Sequence, residues 1–213
     1  MTRQFLDTLT HQGTESLIIG VRGKGLFTTA EHGIHTTAAS TALYRGVHCE
    51  YSVESGALTL ENLRISSKNP PALGAVSPTK EKERGLGTHV YRDIQLACRF
   101  TGTLLVGAGH VGGPGEFLPL GIPVFASPLE FQLVTEHLFE DGEHVQSEDW
   151  TPFLARVRDI GVAAFEKANR SARRMSWSSE HHKSIMSAIR SAWAAEVDPE
   201  RLNVHGGSVS IGH

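Results

Sequence analysis

The sequence predicts a mainly β domain, an antiparallel meander, sandwich or barrel, followed by a helical extension, α+β overall. Three observations carry that expectation. First, from Thr41 to Val53 the residues Leu43, Val47, Cys49, Tyr51 and Val53 alternate with Tyr44, Gly46, His48, Glu50 and Ser52. This is the period of a half-buried strand, in which successive side chains point to opposite faces. Second, Ser55-Gly56 supplies turn chemistry ahead of an apolar-alternating run, Ala57 to Ile65, so the two segments read as a hairpin. Third, the period changes at Thr151. There Phe153, Val157, Ile160, Ala164 and Phe165 recur at helical spacing, with Thr151 placed to cap and Pro152 to open the helix.

The remaining elements follow in order. Leu17 to Val21 and Leu26 to Thr29 make a candidate strand pair around Gly23-Lys24-Gly25. Residues 66–87, with Asn69-Pro70-Pro71, Ser77-Pro78 and the charge run Lys80 to Arg84, read as a mobile surface loop. Strands resume over Tyr91 to Phe100, Thr103 to Val106 and Glu130 to Phe139, the last closed by the turn Asp141-Gly142. Short strands joined by local turns favour antiparallel pairing over a parallel sheet. A second helix is expected from about Ser179 to Ala195, with Ile185, Met186, Ile189 and Trp193 as its stripe and Asp198-Pro199 beyond its end. The expected organisation is thus a β domain over 1–148, a two-helix extension over 149–196, and a tail over 197–213.

Composition sets the outer limits. A chain of 213 residues can bury a sizeable core without staples. Its net charge of −3 is spread along the chain, so no nucleic-acid or membrane partner is expected on electrostatic grounds. The two cysteines, Cys49 and Cys98, sit in strand-like runs rather than a C-x-x-C pattern, which points to reduced thiols and no zinc signature. No apolar run reaches the roughly 18 residues of a membrane span, and Met1 to Phe5 lacks the features of a signal peptide. A cytoplasmic location is the expectation.

Several fragments bear on chemistry. Leu104 to Gly112 fits a strand followed by G-x-G-x-x-G through Gly107, Gly109 and Gly112. That pattern cradles a dinucleotide only where a helix follows, and Gly113-Pro114-Gly115 with Pro119 and Pro123 forbids one, so a glycine-rich loop without a cofactor is expected. Histidine occurs 12 times, with local clusters at His32 and His35, Glu136-His137 and His181-His182. None has a ligand spacing that gathers three metal donors, so solvated or singly bonded histidines and no metal are expected. The cations Lys167, Arg170, Arg173, Arg174 and Lys183 near Trp177 read as a solvated helix face. Ser178 to Arg190 is faintly similar to the opening of very-short-patch repair endonucleases, without the carboxylates that would have to follow.

The most specific fragment is Asn203-Val-His-Gly-Gly-Ser-Val-Ser-Ile-Gly-His213, preceded by Val197 to Leu202. It resembles the histidine loop of the thiolase family, N-x-x-G-G-x-x-x-x-G-H. The resemblance implies His213 as general base for a nucleophilic cysteine, with Gly206, Gly207 and Gly212 shaping a loop against an acyl-CoA thioester. The rest of the chain departs from that family: thiolases are longer and built of two similar α/β halves, and neither Cys49 nor Cys98 has the small-residue setting of their nucleophile. Residues 40–58, 100–106 and 134–142 together resemble a β-rich domain of bacterial proteins without assigned activity. The expected function is therefore non-catalytic binding or scaffolding of an unidentified partner. The alternative is an acyl-CoA fragment that needs a cysteine-bearing partner half.

Overall fold

A computed structural model describes residues 5–81, 87–110, 130–175, 180, 183–185, 187–189 and 191. Ten strands and one long helix follow one another: β1 (Thr8–His11), β2 (Thr14–Lys24), β3 (Val47–Glu54), β4 (Ala57–Ile65), β5 (Thr79–Lys80), β6 (His89–Tyr91), β7 (Leu96–Ala97), β8 (Thr101–His110), β9 (Phe131–Glu140), β10 (Glu143–Asp149) and α1 (Thr151–Met175). The β-rich class and the helical part agree with the expectation from sequence. Every pairing is antiparallel except that of β1 with β3, which run parallel.

The sheet curls until its ends meet. Its order is β10-β9-β8-β2-β1-β3-β4-β6-β5, and β10 also pairs β4 through Glu143 and Ala57. The turns at the two hairpin tips lock the seam: Leu58 N–H donates to the Gly142 carbonyl at 2.8 Å and His144 N–H to the Gly56 carbonyl at 2.6 Å. Seven strands thus form a ring. Alternation along each strand sends one set of side chains inward and the other out.

The two faces hold two cores. Inside lie Leu9, Ile18, Cys49, Tyr51, Leu58, Leu60, Leu63, Phe100, Leu104, Val106 and Phe139 in one cluster. Outside, Ile19, Leu105 and Val134 pack against Leu154 and Val157 of α1, with Trp150, Phe131 and Ile189 completing the layer. Neighbours such as Ile18 and Ile19, or Leu104 and Leu105, therefore belong to opposite layers. Gly107 makes room for this outer layer, because a Cβ there would lie 2.6 Å from the Phe131 ring.

Several sequence expectations change in detail. Leu26 to Thr29 forms no strand; β2 pairs instead with β1 through the Gln12-Gly13 turn and with β8. The strand expected from Thr41 begins only at Val47, after Gly46 at φ 67°. Tyr91 to Phe100 is broken between β6 and β7, where Asp93 and Gln95 take positive φ, a conformation that ends a ladder. Residues 66–81 are more ordered than a loose loop: Leu73 bridges Val76, β5 pairs β6, and the Tyr91 hydroxyl donates to the Pro71 carbonyl at 2.6 Å.

At the start of α1 the cap is Asp149, whose carboxylate accepts from Thr151 N–H at 2.8 Å. The Thr151 hydroxyl instead accepts from Val134 N–H and ties the helix to β9. Leu154 and Val157 form the buried stripe, whereas Ile160 is exposed. Of the second expected helix, positions 180, 183–185, 187–189 and 191 are helical, and Ile185 and Ile189 pack on the outer core; Met186 and Trp193 lie outside the described residues. No described helix is long and apolar enough to cross a membrane.

Candidate functional site at the mouth of the barrel

The inward-facing side chains change from apolar to polar toward one end of the ring. On β9, Phe139 lies in the inner core, and Thr135 and His137 follow at the same two-residue period. On β1, Leu9 is in the core and His11 comes two residues later. Strand register brings further polar groups level with these: Ser16 stands opposite Leu9, Thr14 opposite His11, and Ser147 opposite His137. The result is a cleft of about 380 Å³ whose lining includes His11, Gln12, Thr14, Thr135, His137 and Ser147 over a floor that includes Leu9 and Val106. Among the described residues, no carboxylate lines it.

Three imidazoles cluster here, of which His11 and His137 line the cleft. The ring centroids of His11 and His137 are 5.0 Å apart, those of His11 and His144 4.9 Å, and those of His137 and His144 5.2 Å. His137 Nδ1 lies 3.1 Å from His144 Nε2, and the Ser147 hydroxyl is 3.0 Å from each of them. His144 reaches this point because a bulge between His144 and Gln146 resets the register of β10 against β9. Phe139 supports the group from below, its ring 5.3 Å from His144 and 6.5 Å from His137.

Burial decides the charge state. His137 is 3% exposed, and burial pushes its pKa down to about 4, helped by repulsion from His11 and His144. His144 is lowered in the same direction, by burial first and His11 second, against a backbone hydrogen bond with Gln146 that works the other way. His137 is therefore neutral at pH 7, with one ring N–H and one ring lone pair, and its Nδ1 is engaged by His144 and Ser147.

The glycines of the G-x-G-x-x-G pattern fall elsewhere than a loop. Gly107 and Gly109 lie within β8, Gly107 paired with Val134 of β9 and Gly109 at positive φ without a register partner; Gly112 is outside the described residues. His213, Gly206, Gly207 and Gly212 also lie outside the described residues, as do His181 and His182. Both thiols are deep in the inner core. Burial raises the Cys49 pKa well above its ordinary value and that of Cys98 to about 11, so neither is a thiolate at neutral pH.

Sequence reading singled out His137 beside Glu136, but as a solvated or singly bonded residue, and it missed His11 and His144. The available signal was alternation: His11 continues the inward face of Leu9, and His137 that of Phe139. No family model, curated protein or solved structure matches this chain.

Proposed function

We propose that the chain is a non-catalytic binding protein whose ligand seat is the mouth of the barrel. The observation that carries this reading is the switch of the inner face from a buried apolar core to a cleft lined by imidazoles, hydroxyls and one amide. Its size falls in the range of small-molecule sites, and an apolar floor with a few convergent polar groups is their usual chemistry. The imidazoles, hydroxyls and amide among the described lining residues suit guests that carry carboxylate or other acceptor oxygens. The acyl-transfer alternative requires a cysteine from a second polypeptide, since both thiols of this chain are occupied in packing.

The test is a panel of small carboxylates, polyols and amides screened by ligand-observed NMR against the wild type and Thr135→Phe, which fills the cleft. Binders that lose their signal in the filled variant are the expected result. Binders that are indifferent to it, or no binders from the panel, would contradict the assignment.

A further inference from the structure

His137 uses only half of its ring inside the cluster. Nδ1 is held by His144 Nε2 at 3.1 Å and by Ser147 Oγ at 3.0 Å, while Nε2 makes no hydrogen bond to a described residue. The residue is 3% exposed and lines the cleft, so the Nε2 edge is what a guest can reach. A buried ring that turns one unpartnered polar atom toward a cleft calls for a partner from outside the chain.

Counting protons fixes what that atom presents. The bond between His144 and the Gln146 backbone favours the charged ring, so the ring donates it, and it does so from Nδ1 because Nε2 is turned to His137 and Ser147. A neutral His144 then has its lone pair on Nε2, and the proton in the 3.1 Å contact belongs to His137 Nδ1. Neutral His137 therefore offers a lone pair at Nε2, which repels a carboxylate oxygen. One added proton there makes an imidazolium that keeps its bond to His144 and gains a donor toward the cleft.

We propose that the mouth of the barrel binds a small carboxylate together with one proton, the carboxylate meeting His137 protonated at Nε2 while the hydroxyls of the lining serve its remaining lone pairs. Without a guest, burial and repulsion from His11 on β1 and His144 on β10 hold the ring at about 4. A carboxylate within hydrogen-bond reach opposes both effects and lifts it to roughly 5–7. The other elements packed here add no charge to that balance: Leu104 of β8 stands opposite His137, and Val53 of β3 opposite His11. The acids of these strands are engaged elsewhere. Glu136 and Glu148 pair on the outer face with Leu105, Asp149 accepts from Thr151 N–H, and Glu130 meets His110 at the end of the β8–β9 ladder. With ring centroids 4.9 to 5.2 Å apart, repulsion limits the cluster to a single proton.

This proposal rests on the mouth being the binding seat, and it names the guest class and the pH dependence of that seat. The experiment is a calorimetric titration of the full chain at pH 5.0 and 7.0 with lactate, which is ionised at both, and with lactamide, its uncharged counterpart. His137→Gln and the exposed control His35→Gln are titrated beside the wild type, and circular dichroism confirms that each is folded at both pH values. Wild type and control are expected to bind lactate about tenfold more tightly at pH 5.0 than at pH 7.0. His137→Gln should bind it equally at the two, and lactamide should be indifferent to pH throughout.

Heats of lactate binding to the wild type, compared between two buffers of different ionisation enthalpy at pH 5.0, supply a readout that needs no variant: uptake of about one proton per guest is expected. Lactate affinity that is level or rises with pH, no proton uptake, no lactate binding, or a pH dependence that survives in His137→Gln would each overturn the proton-linked site. If one of these occurs while lactamide binds in a manner lost on Thr135→Phe, the coupling falls and the seat stands. Should neither probe bind, or should both be indifferent to Thr135→Phe, the seat falls as well.

Discussion

At the scale of single residues, the properties of the site come from placing ordinary groups where water is scarce. His137 shows this most clearly. An unfolded histidine titrates near 6.5, while the folded one is held at about 4. Between those values the unfolded chain binds a proton that the folded chain refuses, so stability rises with pH across that window. The contribution is fully present above pH 6.5 and is lost as pH falls toward 4; it amounts to about 3 kcal/mol at full size. His144 adds in the same direction. Chemical denaturation at pH 7.5 and 5.0 is expected to show a loss in the wild type that shrinks in His137→Gln. An equal loss in both would mean that His137 is not a buried neutral group.

Residue identity also explains why this site was hard to read from sequence. Alternation along β9 was legible, because Phe139, His137 and Thr135 share a parity. That His11 and His144 would join His137 depends on register across strands remote in sequence, and on one bulge in β10. A one-residue slip would turn each inward group outward. Motif spacing rules, which work within a single loop or helix, have no purchase on such an arrangement.

At the scale of elements, the hairpin β3–β4 and the onset of helix at Thr151 were readable because local pattern and tertiary role agree. The reverse holds for Tyr91 to Phe100, whose residues have strand-like composition. The backbone there turns at Asp93 and Gln95 to move between two places along β4: β6 pairs near Ile65, and β7 pairs near Thr59. Helix α1 likewise buries Leu154 and Val157 rather than Ile160, because its entry angle is set by the Asp149 cap and the Thr151 bond to Val134. Leu154→Ala should cost about 2–5 kcal/mol, the usual range for deleting a buried leucine. Gly107→Ala should cost about 1–3 kcal/mol by driving a methyl group into Phe131 on the same interface. Thermal unfolding monitored at the tryptophans checks both, and a Gly107→Ala variant as stable as the wild type would contradict the close contact.

At the scale of the whole molecule, a closed ring of strands does two things at once. It removes most exposed strand edges, and it encloses an interior that can be core at one end and cleft at the other. Closure depends on the β9–β10 turn docking beside the β3–β4 turn. Gly142, at φ 89°, has no room for a side chain, since a Cβ would lie 2.3 Å from the Cys98 carbonyl oxygen. Gly142→Ala should therefore open the seam as well as weaken the fold, with faster amide exchange at Leu58 and His144, the two donors that lock it. Unchanged exchange at those two amides would mean that the ring is not held there. The sequence conveyed strands and turns but not closure, because the β4–β10 contact is a meeting of two hairpin tips and leaves no periodic trace in either.

The central claim is that His11, His137 and His144 converge inside the mouth of the barrel. Long-range ¹H–¹⁵N NMR of the histidine rings, assigned with the three single Gln variants and followed from pH 8 to pH 4.5, tests it most directly. The account predicts that His137 stays neutral down to pH 5, and that replacing either of the other two rings shifts its nitrogen signals. Independent titration of His137 near 6.5, with no response to substitution of the other two, would contradict it.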